Sequence, residues 1–155
     1  SQMLWAVYFI RVKIIEVGIL QYEYSIINDN KQVIKIHIPR GNKLDILSVR
    51  KSIKDSKIEI EKIFRVINCE YICSSWLLSN QIHELVDIDT NIYKFQELFN
   101  VKDGENCIKD ILNFVFEIEN CDDYSLLSEK TTLQKIVKKQ LLKDKQFYLG
   151  LGVIK

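Results

Sequence analysis

The chain is 155 residues long with 47% hydrophobic and 28% charged residues, a composition that supports a folded core and excludes a disordered or fibrous segment. Its formal net charge of +1 provides no overall field for nucleic acid or an anionic membrane, so neither is expected as a partner. No apolar run approaches the roughly 20 residues of a membrane span: Trp5 to Ile15 is interrupted by Arg11 and Lys13, and no secretory signal is expected.

From Leu4 to Val17 the residues are β-branched and aromatic in partial alternation, which predicts one long strand or two short ones, with a bend at Gly18. Ile19 to Ile26 alternates, placing Leu20, Tyr22, Tyr24 and Ile26 on one face and Gln21, Glu23 and Ser25 on the other. Asn28-Asp29-Asn30-Lys31 tolerates positive φ and predicts a hairpin into a strand from Gln32 to Ile38, which Pro39 ends because it cannot donate to a ladder. The first forty residues thus read as an antiparallel meander.

Asp45 is positioned as the N-cap of a long amphipathic helix with an inward stripe of Val49, Ile53, Ser56, Ile60, Ile63, Phe64 and Ile67. Glu70 to Ser74 is the next strand. A strand, a crossover helix and a further strand make a βαβ unit with parallel neighbours. Trp76 to Val86 predicts a short helix and Asn91 to Phe99 another, followed by a Gly turn within Lys102 to Glu105. Ile108, Ile111, Leu112, Val115 and Phe116 form a helical stripe, and Glu117 to Asp123 an exposed acidic loop. Ser128 or Thr131 caps a last helix with Leu133, Ile136, Val137, Gln140 and Leu141 inward; Gln146 to Ile154 is a closing strand in which Gly150 and Gly152 allow a bend or a close approach. The aromatic residues Trp76, Phe95, Phe99, Phe114 and Phe116 are expected in the core.

The charge is uneven. Glu97 to Asp123 carries eight acids against Lys102 and Lys109, and Lys130 to Lys145 carries six lysines against Asp144, a solubilising pattern. Cys69, Cys73, Cys107 and Cys121 show no tight pairing, and reduced thiols in a cytoplasmic setting are expected. His37 and His83 are the two histidines, neither spaced to complete a zinc box with Cys69 and Cys73, so no metal is expected.

Three places carry candidate chemistry. The turn Arg40-Gly41-Asn42-Lys43, between a strand and a helix N-terminus, is a candidate anion site, because the first helical N–H groups are unpaired and partly positive; a simple solvated connection is the alternative. His37, on a strand beside Pro39, is either a hydrogen-bonded structural imidazole or a general base. Cys73, where a strand ends, could face a cleft as a nucleophile, although no base is near it in sequence.

Several stretches together, Gly18-Ile-Leu-Gln-Tyr-Glu23, Ile36-His-Ile-Pro39, Cys73-Ser-Ser-Trp-Leu-Leu78 and Asn91-Ile-Tyr-Lys-Phe-Gln96 leading to Leu98-Phe99, resemble the C-terminal domain of bacterial two-domain acyltransferase-like proteins of the GNAT superfamily. The resemblance spans roughly residues 5 to 154. It implies a mixed α/β sheet and a single GNAT-like domain over residues 1–155, preceded in a longer protein by an N-terminal domain that would be its partner. It implies acyl-CoA as co-substrate, with the pyrophosphate on the turn Arg40 to Asp45 and the pantetheine arm between the strand ending at Ile38 and the parallel strand Glu70 to Ser74. The superfamily's usual loop, an Arg or Gln followed two residues later by Gly-x-Gly or Gly-x-Ala, is matched here only by Arg40-Gly41-Asn42-Lys43 with its single glycine, and Trp76 stands near the usual position of a general-acid tyrosine. The expected activity is acyl transfer from acyl-CoA to an amine, with His37 or Glu23 as the base. The alternative is a non-catalytic ligand- or protein-binding module on the same fold, its cofactor loop lost and its cleft filled by side chains such as Trp76.

Overall fold

A computed structural model describes residues 13–41 and 43–155. Of the strand expected over Leu4 to Val17, the described part is β1 (Ile14–Val17); residues 1–12 lie outside. The described residues form a mixed α/β architecture with six strands and five α-helices. Packing divides the described residues into two compact units, the first ending at Cys73 and including Ile154, the second Ser74–Val153 with Lys155.

In the first unit β1, β2 (Leu20–Ile27) and β3 (Lys31–His37) form the expected antiparallel meander. Asn28, Asp29 and Asn30 take φ values of 33°, 53° and 76°, which places the β2–β3 reversal on residue types that tolerate the left-handed region. The register sets Tyr22 opposite Ile36 and Tyr24 opposite Ile34, so these four share one face. The crossover helix α1 (Ile46–Phe64) leads to β4 (Glu70–Ser75), which pairs parallel with β3.

Helix α1 begins at Asp45, whose carboxylate accepts from the Ser48 N–H at 3.0 Å, and ends at Arg65 in the left-handed region. Its buried residues are Val49, Ser52, Ile53, Ser56 and Ile60. Burying an aliphatic side chain of this size contributes about 1.5–3 kcal/mol, an upper figure because unfolded chains already bury some surface. The stripe is shorter than expected: Ile63 and Ile67 are 50% and 68% exposed. The helix stops at Phe64, whose ring stacks on Tyr24 at 5.3 Å, and Ile67 lies past the cap.

Four hydroxyls lie inside this interface. Ser52 Oγ donates to the Val17 carbonyl at 2.5 Å and is 2.7 Å from the Tyr22 hydroxyl. Ser56 Oγ donates to its own helix at Ile53 O (2.6 Å) and lies 3.1 Å from the Tyr71 hydroxyl. With each serine hydrogen committed to a carbonyl, each tyrosine donates to a serine. Burial pushes the Tyr22 phenol up to about 12, and the Tyr71 phenol is raised by the same cause.

The second unit differs from expectation in three places. The helix expected over Trp76 to Val86 is a 3-10 turn (Trp76–Leu78) followed by α2 (Asn80–His83). The break falls at Ser79, which has extended backbone and accepts the Gln81 N–H with its side chain. Helix α3 (Asn91–Gln96) ends before Phe99, and Phe99 opens β5 (Phe99–Asn106), so the Gly turn expected within Lys102 to Glu105 is strand. At Gly104 a Cβ would stand 3.0 Å from Leu151 Cγ, so side chains from β6 (Tyr148–Ile154) cover this position, and pairing decided what local Gly chemistry did not. Phe114 is 46% exposed, not core, and stacks on Trp76 at 6.3 Å.

Other expectations hold in this unit. Helix α4 (Ile108–Phe116) buries Ile111, Leu112, Val115 and Phe116. Thr131, not Ser128, caps α5 (Thr132–Asp144), with a capping box to Gln134. Ile82, Ile111, Leu112, Val137, Leu141 and Phe147 form the centre of one apolar cluster. Gly150 serves a close approach: a Cβ there would lie 2.0 Å from the Leu78 carbonyl oxygen.

Candidate functional site: the β3–α1 turn and the end of the parallel pair

The parallel pairing of β3 and β4 is short. It runs Val33↔Glu70, Ile34↔Tyr71 and Lys35↔Ile72, while β3 continues through Ile36 and His37 and β4 past Cys73. Beyond Lys35↔Ile72 no further β3–β4 pair forms among the described residues.

Directly after this point the chain makes the turn to α1. Pro39 follows the last strand residues as expected, and Gly41 adopts φ +87°, where a β-carbon is strained. Apart from Gly41 itself and its two chain neighbours, no heavy atom of the described residues comes within 4 Å of where a Gly41 Cβ would stand, so this side of the turn is open. Arg40 and Lys43 are exposed, Ile38 is half-buried, and Leu44 is buried, pinning the turn to the core. Asn42 lies outside the described residues. At the helix N-terminus the Asp45 carboxylate already holds the Ser48 N–H, and that hydrogen bond keeps its pKa below the ordinary aspartate value. The turn therefore presents two cations and an open glycine beside a helix end that carries its own acid.

The strand period brings Glu23, Lys35 and His37 to the face of the meander opposite Tyr22 and Ile36. Glu23 Oε2 is 3.8 Å from His37 Nε2 and 4.0 Å from Lys35 Nζ. The His37 side chain is 46% exposed, so the imidazole is accessible, with the Glu23 carboxylate beside it. Sequence reasoning named both residues, and the hairpin register joins them.

Cys73 is a different case. It is 3% exposed, and burial pushes its thiol up to about 12, the opposite of what a thiolate nucleophile requires. Among the described residues no cluster of three or more His, Cys, Asp or Glu side chains is arranged to hold a metal, and no helix is long and apolar enough to cross a membrane.

A family model for the GNAT-like C-terminal domain matches residues 14–154. The chain belongs to this family. No functionally curated protein matches the sequence. Among solved structures, the GNAT-like C-terminal domain is similar to an acyltransferase in complex with decanoyl-CoA, at 28% identity and a TM-score of 0.81, covering 97% of this chain and 48% of that one. It also superposes on an acyltransferase in complex with decanoyl-CoA and teicoplanin, at 24% identity and a TM-score of 0.80, covering 97% and 49%. This domain thus spans about half the length of the solved relatives it matches. The mixed α/β fold expected of a GNAT-like domain is the observed one.

Two sets of residues escaped sequence reasoning. Tyr22 was legible only as one face of its strand and Ser52 not at all, because a hydrogen bond across thirty residues leaves no spacing signal. In the second unit His83 Nε2 lies 2.7 Å from Glu97 Oε1, and the His83 ring stacks on Tyr93 at 4.7 Å. The Glu97 carboxyl is held below its ordinary pKa by the hydrogen bond from His83.

Proposed function

We propose that this GNAT-like C-terminal domain transfers an acyl group from an acyl-CoA to an amine acceptor, within a longer protein in which a preceding N-terminal domain is its partner. The observation that carries the reading is the end of β3–β4 pairing at Lys35↔Ile72 immediately before an open cationic turn, in a chain similar to an acyltransferase in complex with decanoyl-CoA. The pantetheine arm would hydrogen-bond to main chain near Ile36 to Ile38, and Arg40, Gly41, Asn42 and Lys43 would face the pyrophosphate.

The chemistry asks little of the protein beyond positioning. The acceptor nitrogen bonds to the thioester carbonyl carbon, the C–S bond breaks, and the CoA thiolate leaves and takes up a proton. His37, with Glu23 beside it, removes the proton that the nitrogen must lose. Cys73 has no role in this scheme.

Calorimetric titration of acetyl-CoA and decanoyl-CoA into the full-length protein tests it. Acyl-CoA is expected to bind, with affinity reduced about tenfold or more in Arg40→Ala/Lys43→Ala. His37→Ala is expected to leave that affinity intact and to lower transfer by about 10²- to 10⁴-fold, the range of a lost general base. No heat with either acyl-CoA at millimolar ligand rejects the reading.

One observation favours a second reading, a non-catalytic binding module. The α1 N-terminus is already capped by the Asp45 carboxylate, and Gly41 is the single glycine of the turn, which leaves fewer N–H groups for a pyrophosphate. Under that reading Arg40→Ala/Lys43→Ala changes no acyl-CoA affinity.

A further inference from the structure

The uneven charge of the sequence comes together on one surface of the second unit. The acidic segment 117–123 runs into the 3-10 turn Tyr124–Leu126, which Asp123 opens by accepting the N–H and the hydroxyl of Ser125 at 3.0 and 2.7 Å. This turn packs against α5, so the acidic segment and the basic helix are neighbours. Lys138 marks the seam. Its side chain is 13% exposed and pairs with Glu129 at 3.3 Å. The hydrogen bonds from Ser125, and after them the charge of Lys138, hold the Asp123 carboxyl below its ordinary pKa.

Either side of the seam the charge is unbalanced. Helical spacing sets Lys135 and Leu142 three and four residues from Lys138, with Lys139 and Lys143 further round the exposed face. Lys135, Lys139 and Lys143 stand at i, i+4 and i+8, all exposed and without an ion pair among the described residues, so the stripe repels itself. On the other side Glu119 and Asp122 are exposed and likewise unpaired among the described residues. Each half also carries an exposed leucine, Leu126 at 80% and Leu142 at 49%. A negative half beside a positive half is complementary to itself after a half-turn, which is the arrangement of an isologous interface. The chain's formal net charge of +1 sets no overall repulsion against it. We propose that this face pairs two copies of the domain, the stripe of Lys135, Lys139 and Lys143 of each meeting Glu119 and Asp122 of the other, with Leu126 against Leu142. Exposed ion pairs contribute little singly, so the dimer is weak, with a Kd in the micromolar range, and sensitive to salt.

The pairing does not rest on acyl-CoA binding. The test is sedimentation of the full-length protein at about 100 µM in about 0.1 M and about 1 M salt, over which the screening length falls from about 10 to about 3 Å. Dimers are expected at the lower salt and monomers at the higher. Lys135→Glu/Lys139→Glu and Glu119→Lys/Asp122→Lys are each expected to be monomeric at the lower salt, because each makes both halves alike in sign. An equimolar mixture of the two variants should restore the dimer, since every half again meets its opposite. All four positions are exposed, and circular dichroism checks that the variants fold; Lys139→Glu/Lys143→Glu or Asp122→Lys replaces one that does not. A protein monomeric at the lower salt, a dimer that survives the higher salt or the charge reversals, or a mixture that stays monomeric overturns the proposal. So does a monomer whose stripe binds polyglutamate, which assigns the stripe to an acidic partner instead.

Discussion

The two units hold their helices in different ways. In the first, α1 meets the sheet through Val49, Ile53 and Ile60, but also through two serines that receive the hydroxyls of Tyr22 and Tyr71. In the second, α4 and α5 meet chiefly in a cluster of Ile111, Leu112, Val137, Leu141 and Phe147, where contact is mostly a matter of volume, with one part-buried hydrogen bond from Gln134 Nε2 to the Val115 carbonyl. Volume packing tolerates sliding and repacking as long as space is filled. Directional hydrogen bonds between buried groups do not, because a shift of an ångström strands a donor. The unit with the polar interface is the one whose helix carries the candidate cofactor turn at its N-terminus. The hydroxyl pairs fix α1 against β2 and β4, and thereby the turn that precedes it.

Breaking the apolar cluster should have the largest effect. Phe147 is fully buried, and Phe147→Ala is expected to destabilise the protein by about 3–5 kcal/mol, read from urea unfolding. Alkaline pH should attack the other unit. The folded Tyr22 pKa of about 12 lies above its ordinary 10.0, so the neutral form is favoured by folding and its contribution is complete below pH 10. It is lost as pH rises from 10.0 toward about 12, and a two-unit shift corresponds to about 2–3 kcal/mol. Tyr22→Phe should flatten the stability profile in that window; an unchanged slope would remove Tyr22 from this account.

Ser52→Ala sharpens the comparison further. It leaves the Tyr22 hydroxyl buried without its acceptor and is expected to cost about 1–3 kcal/mol, whereas adding Tyr22→Phe should recover part of the loss, giving a non-additive double-mutant cycle. Additive losses would mean that the pair is no more directional than the cluster in the second unit. The smallest effect belongs to the edge of that unit: Thr131→Ala removes the α5 capping box and should lower stability by about 1 kcal/mol, visible as a small shift in the urea midpoint.

Periodicity and local chemistry alone determined the meander, the parallel βαβ crossover, the Asp45 cap and the α4 stripe. Each rests on residues close in sequence: alternation in Leu20 to Ile26, the Asn28-Asp29-Asn30 reversal, Pro39 after the last strand. Local chemistry also marked His37 and the turn from Arg40 to Lys43, while Glu23 entered as a base only through the resemblance. Tertiary structure decided what depends on distant partners. Gly104 became strand because β6 covers it, Phe114 went to the surface, and Cys73 was buried beyond use as a nucleophile. It also decided that Glu23 lies near His37, since only the hairpin register sets them 3.8 Å apart. Local sequence encodes backbone preference and the face a side chain takes; which groups meet across that face is settled only when the elements pack.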